Sequence, residues 1–169
     1  MYSNDNTKSL GFTFIELIIV VSLVTLIFGV LLIAIDPVSI LVRNRDVARI
    51  QDLEHMHRAM DLALKDNEVK LVETLNCKTC TSHTGTTAVD GENGWVKFEL
   101  VGPTGLSRYI PALPMDPLNK DSFVYTYGAT SDGYEFNAVL ESPSNIPTMT
   151  TDGGNSPSIY EVGTSLEIL

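Results

Sequence analysis

The chain has 169 residues, the length of one ordinary domain, and 11 Lys and Arg stand against 21 Asp and Glu for a formal charge of −10. That balance excludes a protein built to grip nucleic-acid phosphates, which needs a basic face, so no specific nucleic-acid partner is expected. With 44% hydrophobic and 19% charged residues, the chain also falls outside the class kept unfolded by charge.

Residues 1–11 are polar, with Asp5 and Lys8 as their only charges. Residues 17–35 then form a run of 19 without a single charge. As a helix this run spans about 28 Å, close to the hydrocarbon thickness of a bilayer. A core helix of a soluble domain would carry one polar stripe, and this run carries none. It is too long for a secretory signal peptide, and no small-residue cleavage pattern follows it. A lipoprotein would need a cysteine at its end, whereas the two cysteines are Cys77 and Cys80. An uncleaved anchor, or one cut before the apolar run, is the reading left. Lys8 on one side and Arg43, Arg45 and Arg49 on the other give no orientation. Glu16 sits at the edge of the run, where an acid is a functional hypothesis by default.

Asp36-Pro37 ends the run. Pro37 has no N–H to offer the preceding turn, so the helix kinks or restarts there, with Asp36 as a cap. From residue 37 to about 75 the spacing of Val47, Ile50, Leu53, Met56, Met60, Ala63 and Leu64 predicts an amphipathic helix. Arg43, Arg45, Asp46, Arg49, Asp52, Glu54, Arg58, Asp61 and Lys65 are expected on its solvated flank. His55 and His57 are two apart and share no helix face, so they make a poor metal pair.

Turn-forming residues rise sharply from Asn76. Residues 95–101 read as a strand, 123–127 and 134–140 as a hairpin, and 158–162 as a last strand, with a helical turn at 106–110. The fold class is α+β: a long N-terminal helix followed by a small antiparallel β-sheet head. No nucleophile elbow, zinc-protease helix or phosphate loop occurs, so an enzyme is not expected. Cys77-Lys78-Thr79-Cys80 follows a helix and precedes a loop, the wrong context for a thioredoxin site; a disulfide, a zinc pair and free thiols stay open. Asp116, Asn119, Asp121 and Asp152 carry oxygens at spacings that suit calcium, and they are equally the residues of which turns are made.

Lys8-Ser9-Leu10-Gly11-Phe12-Thr13-Phe14-Ile15-Glu16-Leu17 resembles the prepilin processing motif of type IV pilins and type II secretion pseudopilins. The resemblance implies that a prepilin peptidase cuts between Gly11 and Phe12 and methylates Phe12, removing a cytoplasmic leader, 1–11. It implies that 12–36 anchors the chain in the bilayer and later assembles, through an inner-membrane platform, with identical or related subunits into a filament. In that family Glu16, fifth in the mature chain, meets the freed amine of a neighbouring subunit. Ala112-Leu113-Pro114-Met115-Asp116-Pro117 before the hairpin is similar, more weakly, to the head of major-pseudopilin relatives, which implies their fold for the head, 76–169, that follows the amphipathic helix, 37–75. An extracytoplasmic head makes a Cys77–Cys80 disulfide the expected state of the pair. No cofactor is required; the tail around Asp152 lies where such proteins often carry calcium, though the family's crowd of acids is not reproduced. The resemblance thus implies a single-pass membrane protein that ends in a cell-surface or periplasmic filament. A reading of a different class is a single-pass anchored extracytoplasmic binding module that never assembles.

Overall fold

The computed structural model describes residues 11–169. The rest of the expected leader, 1–10, lies outside the described residues. The chain divides after Ile40 into two compact units, each described by itself.

The first unit contains α1, Phe14–Ile35. Thr13 caps it from an extended conformation in a reciprocal box: the Glu16 N–H donates to Thr13 Oγ1 at 3.3 Å, and the Thr13 N–H donates to Glu16 Oε2 at 2.8 Å. Residues Phe14–Ile33 are long and apolar enough to cross a membrane, and none of them is buried within the protein. The polar interruptions are satisfied inside the helix. Ser22 Oγ donates to the carbonyls of Ile18 and Ile19, and Thr25 Oγ1 to those of Val21 and Ser22. In lipid, where no water serves such groups, that arrangement removes their penalty. Asp36 ends α1 in the left-handed region, φ 45°, and its side chain accepts from the N–H and hydroxyl of Ser39. It thereby caps α2, Pro37–Lys65, whose first residue is a proline that needs no partner for a missing N–H.

The second unit, Leu41–Leu169, holds the rest of α2 and two antiparallel sheets. One face of α2 is buried: Asp46, Arg49, Leu53, Met56, Ala59, Met60 and Ala63. The helix stops at Lys65, ten residues short of the sequence expectation. Asn67 adopts φ 55°, its N–H donates to Leu64 O, and the Glu68 N–H donates to Ala63 O. These two reversed bonds terminate a helix at a left-handed residue. Residues expected to be helical then form β1, Val69–Leu71, which pairs with β2, Phe98–Leu100. The second sheet has the order β3-β4-β5, with β3 Thr126–Ala129, β4 Tyr134–Ala138 and β5 Tyr160–Gly163. A six-residue helix, α3, Ile146–Thr151, lies between β4 and β5 and was not expected. The buried apolar α2 residues, Leu53, Met56, Ala59, Met60 and Ala63, join Trp95, Tyr125, Tyr127, Tyr134, Phe136, Leu106 and Leu113 in one hydrophobic core. Tyr134 reaches α2 directly, its hydroxyl donating to His57 O at 3.1 Å. An N-terminal apolar helix with small antiparallel sheets is an α+β architecture.

Candidate functional site

The N-terminal candidates lie on and just before the first turn of α1. Gly11, Phe12 and Glu16 are exposed, and a Cβ built on Gly11 meets nothing within 4 Å. Thr13 holds the Glu16 carboxylate through its N–H and, at 2.7 Å, through its hydroxyl. In the single chain the acid is therefore satisfied by its own helix start.

A second constellation was not legible as a site. Arg49, placed by its charge on the solvated flank of α2, is wholly buried, and so is Asp46. The Arg49 guanidinium grips Asp116 with two prongs, Nε to Oδ2 at 2.6 Å and Nη2 to Oδ1 at 3.0 Å. Its Nη1 donates to Asp46 at 3.0 Å and to Glu141 at 2.5 Å, and Arg45 adds two bonds to Glu141. The Phe123 ring lies 5.0 Å from the guanidinium carbon. Burial works against the Arg49 charge, but the hydrogen bonds of Asp116 and Glu141 outweigh it and hold the group above its ordinary range. The Arg45 hydrogen bond, against some burial, and then Arg49 hold the Glu141 carboxyl down at about 2.

The acids left over are met by main chain. Asp46 accepts from the N–H groups of Glu141 and Ser142, both at 2.8 Å, and from the Asn145 amide at 2.9 Å. One α2 carboxylate thus fixes the start of the segment that leads into α3. The missed signal was periodic: positions 46, 49, 53, 56, 60 and 63 continue the buried stripe without a break. What this arrangement can do is mechanical. It locks helix register to the 113–117 and 141–145 segments through fully paired charges, and it offers no group free for acid–base work.

The calcium candidates are dispersed by this pattern. Asp116 is spent on Arg49 and on the N–H groups of Leu118 and Asn119. Asn119, at φ 47°, accepts from Ser82 Oγ and returns its amide to Ser82 O. Asp121 sits in an exposed turn at φ 55°, a conformation Asn and Asp tolerate. Asp152 takes the N–H groups of Gly154 and Glu161. Asp116 and Asn119 touch; among the described residues no three His, Cys, Asp or Glu side chains are grouped to hold a metal.

Cys77 and Cys80 are joined in a disulfide. The bridge shapes the 74–82 segment that runs along the outer margin of β3. Thr74 N–H donates to Ala129 O, Tyr127 N–H to Cys80 O, and Ser82 N–H to Tyr125 O. A margin that would otherwise offer free hydrogen-bonding groups is closed.

No family model, no curated protein and no solved structure matches the chain.

Proposed function

We propose that the chain is a prepilin-like subunit, cut after Gly11, methylated at Phe12, held in the bilayer by α1 and assembled through that helix into a type IV pilus or a type II secretion pseudopilus. The observation that carries this reading is that the Gly11-Phe12-Thr13-Phe14-Ile15-Glu16 sequence runs straight into α1, whose 20-residue span Phe14–Ile33 is long and apolar enough to cross a membrane and carries no charge beyond Glu16. A cut placed ahead of such a helix leaves the anchor in the mature chain, which a signal-peptide cut would not. A helix without a polar stripe suits lipid first and a bundle of like helices afterwards, since both bury every face. Glu16 then acquires a role: the amine freed at Phe12 of a neighbouring copy is the opposite charge that an acid in a low-dielectric bundle requires. The α+β head, extracytoplasmic in this reading, belongs to the pilin fold, with the peptidase, the assembly platform and sibling subunits as partners.

The test is the N-terminus of the protein isolated from its native membranes. Sequencing and intact mass are expected to give N-methylated Phe12 as the first residue. A start at Met1, or one beyond Ile35, overturns the proposal and leaves the anchored or released binding module instead. Glu16→Leu supplies a second arm: the variant still partitions with the membrane, while its recovery in sheared filaments falls to background.

A further inference from the structure

The two faces of β4 carry different chemistry. Tyr134, Phe136 and Ala138 point into the core, and Glu135 and Asn137 therefore point to the opposite face. Glu161 of β5 stands opposite Asn137 and diagonal to Glu135 on that same face. All three are buried, at 0%, 4% and 2% exposure for Glu135, Asn137 and Glu161. Glu135 Oε2 accepts from the N–H groups of Ile168 at 2.8 Å and Leu169 at 3.2 Å. Glu161 Oε2 accepts from the Ser156 N–H at 2.9 Å. Glu135 Oε1, Glu161 Oε1 and Asn137 Oδ1 are buried acceptors with no donor. Among the described residues neither carboxyl is in an ion pair.

The cover over these groups is tight. A Cβ on Gly154 would fall 2.0 Å from Glu161 Oε2, and one on Gly128, beside Glu135, would fall 2.7 Å from Leu169 Cδ2. Two neighbouring carboxyl groups shut away from water, with no cation beside them, do not both ionise. A retained proton turns one idle carboxyl oxygen into a donor for the other and removes the defect at both carboxyls, leaving Asn137 Oδ1 as it was.

We propose that Glu135 and Glu161 hold one proton in common, and that this proton latches the 164–169 segment and the 152–156 loop over the back of the sheet. The remaining charged groups on the covering elements are Asp152, whose carboxylate takes the Glu161 N–H, and the exposed Glu167 within 164–169. Both are acids and oppose a second ionisation. Burial first, and then the facing Glu135 carboxyl against the Ser156 hydrogen bond, raises Glu161 above the ordinary carboxylate range. A carboxyl raised in the folded state stabilises fully below its unfolded value, and that contribution is lost as the pH rises through the folded one. The latch is therefore closed in acid and loosened toward alkaline pH.

The test uses the full chain in detergent micelles. Hydrogen-exchange protection of the Ile168 and Leu169 amides, corrected for intrinsic rate, is measured from about pH 5 to about pH 8. Protection is expected to fall with rising pH, by about tenfold for each unit by which the folded value exceeds the ordinary one. Glu161→Gln, whose amide supplies the bridging hydrogen at every pH, is expected to give a flat profile. Carbon-13 titration of the unaltered protein, which needs no variant to fold, is expected to find one Glu carboxyl above the ordinary range. A flat profile in the unaltered protein, or every Glu carboxyl titrating normally, overturns the proposal. So does calcium chloride that raises protection at neutral pH in the unaltered protein and not in Glu161→Gln, because a cation and not a proton then fills the gap.

Discussion

Two helices of similar length solve opposite problems. α1 leaves the residues of its Phe14–Ile33 span unburied and tucks its few hydroxyls back onto its own carbonyls. Beyond Leu41, α2 turns a stripe inward and buries with it a full guanidinium and a carboxylate. The difference teaches what decides burial. An apolar helix long enough to cross a membrane suits lipid, which asks for no polar partner on any face. A charge can go into a protein core when each of its hydrogen-bonding groups meets a partner, as Arg49 does with Asp46, Asp116 and Glu141.

Three perturbations would sharpen or break that contrast. The largest effect is expected from Arg49→Ala, which leaves Asp46, Asp116 and Glu141 facing one another without their cation. Removal of one partner from a buried ionic cluster costs about 3–5 kcal/mol, read as a lowered denaturation midpoint of the head. A midpoint within error of the parent would show that the network is idle. Next comes Val24→Arg in the middle of α1, where a charge costs about 2.5–3.5 kcal/mol of membrane insertion. The expected outcome is a shift from the membrane to the soluble or aggregated fraction, while the head unfolds as before. Unchanged membrane partition would break the assignment of α1 to lipid.

The smallest effect concerns acid. Glu141, held at about 2, contributes stability that is complete above the ordinary carboxylate range and is lost as the pH falls toward that value. Denaturation followed across the acid limb is therefore expected to show a loss that Glu141→Gln makes shallower. The Glu135–Glu161 pair acts with the opposite sign over its own range, so the two carboxyl sites separate in a full pH profile.

Much of this was legible in the residues. The uncharged run gave α1, Asp36-Pro37 gave the break and cap, and aromatic and β-branched runs gave β4 and β5, whereas β3 starts three residues later than the expected 123–127 because Phe123 is held in a turn by its backbone bonds with Lys120. The places that were not legible have physical reasons. The end of α2 depends on Asn67 entering the left-handed region, which two backbone bonds secure and composition does not announce. Strand β2 ends at Leu100 because the Val101 and Gly102 N–H groups both turn to Glu68 O, and it starts only at Phe98 because Trp95 N–H is drawn to Thr86 O. Arg49 and Asp46 were assigned to solvent on charge alone, although their spacing already matched the buried stripe. Their partners outside α2 lie from 67 to 99 residues away along the chain, a distance no local pattern spans. Asp116 illustrates the same point from the other end: it was singled out as a calcium candidate, and its carboxylate is gripped by the Arg49 guanidinium of α2.

Lys78 lies exposed between the two bridged cysteines and is a natural point of attack for a trypsin-like protease. Hydrolysis of the bond after Lys78 adds one water to the mass and separates nothing, because the sulfurs still join the new ends. A nicked molecule keeps the margin of β3 covered until a reductant arrives, so damage at that loop stays silent in any oxidising compartment.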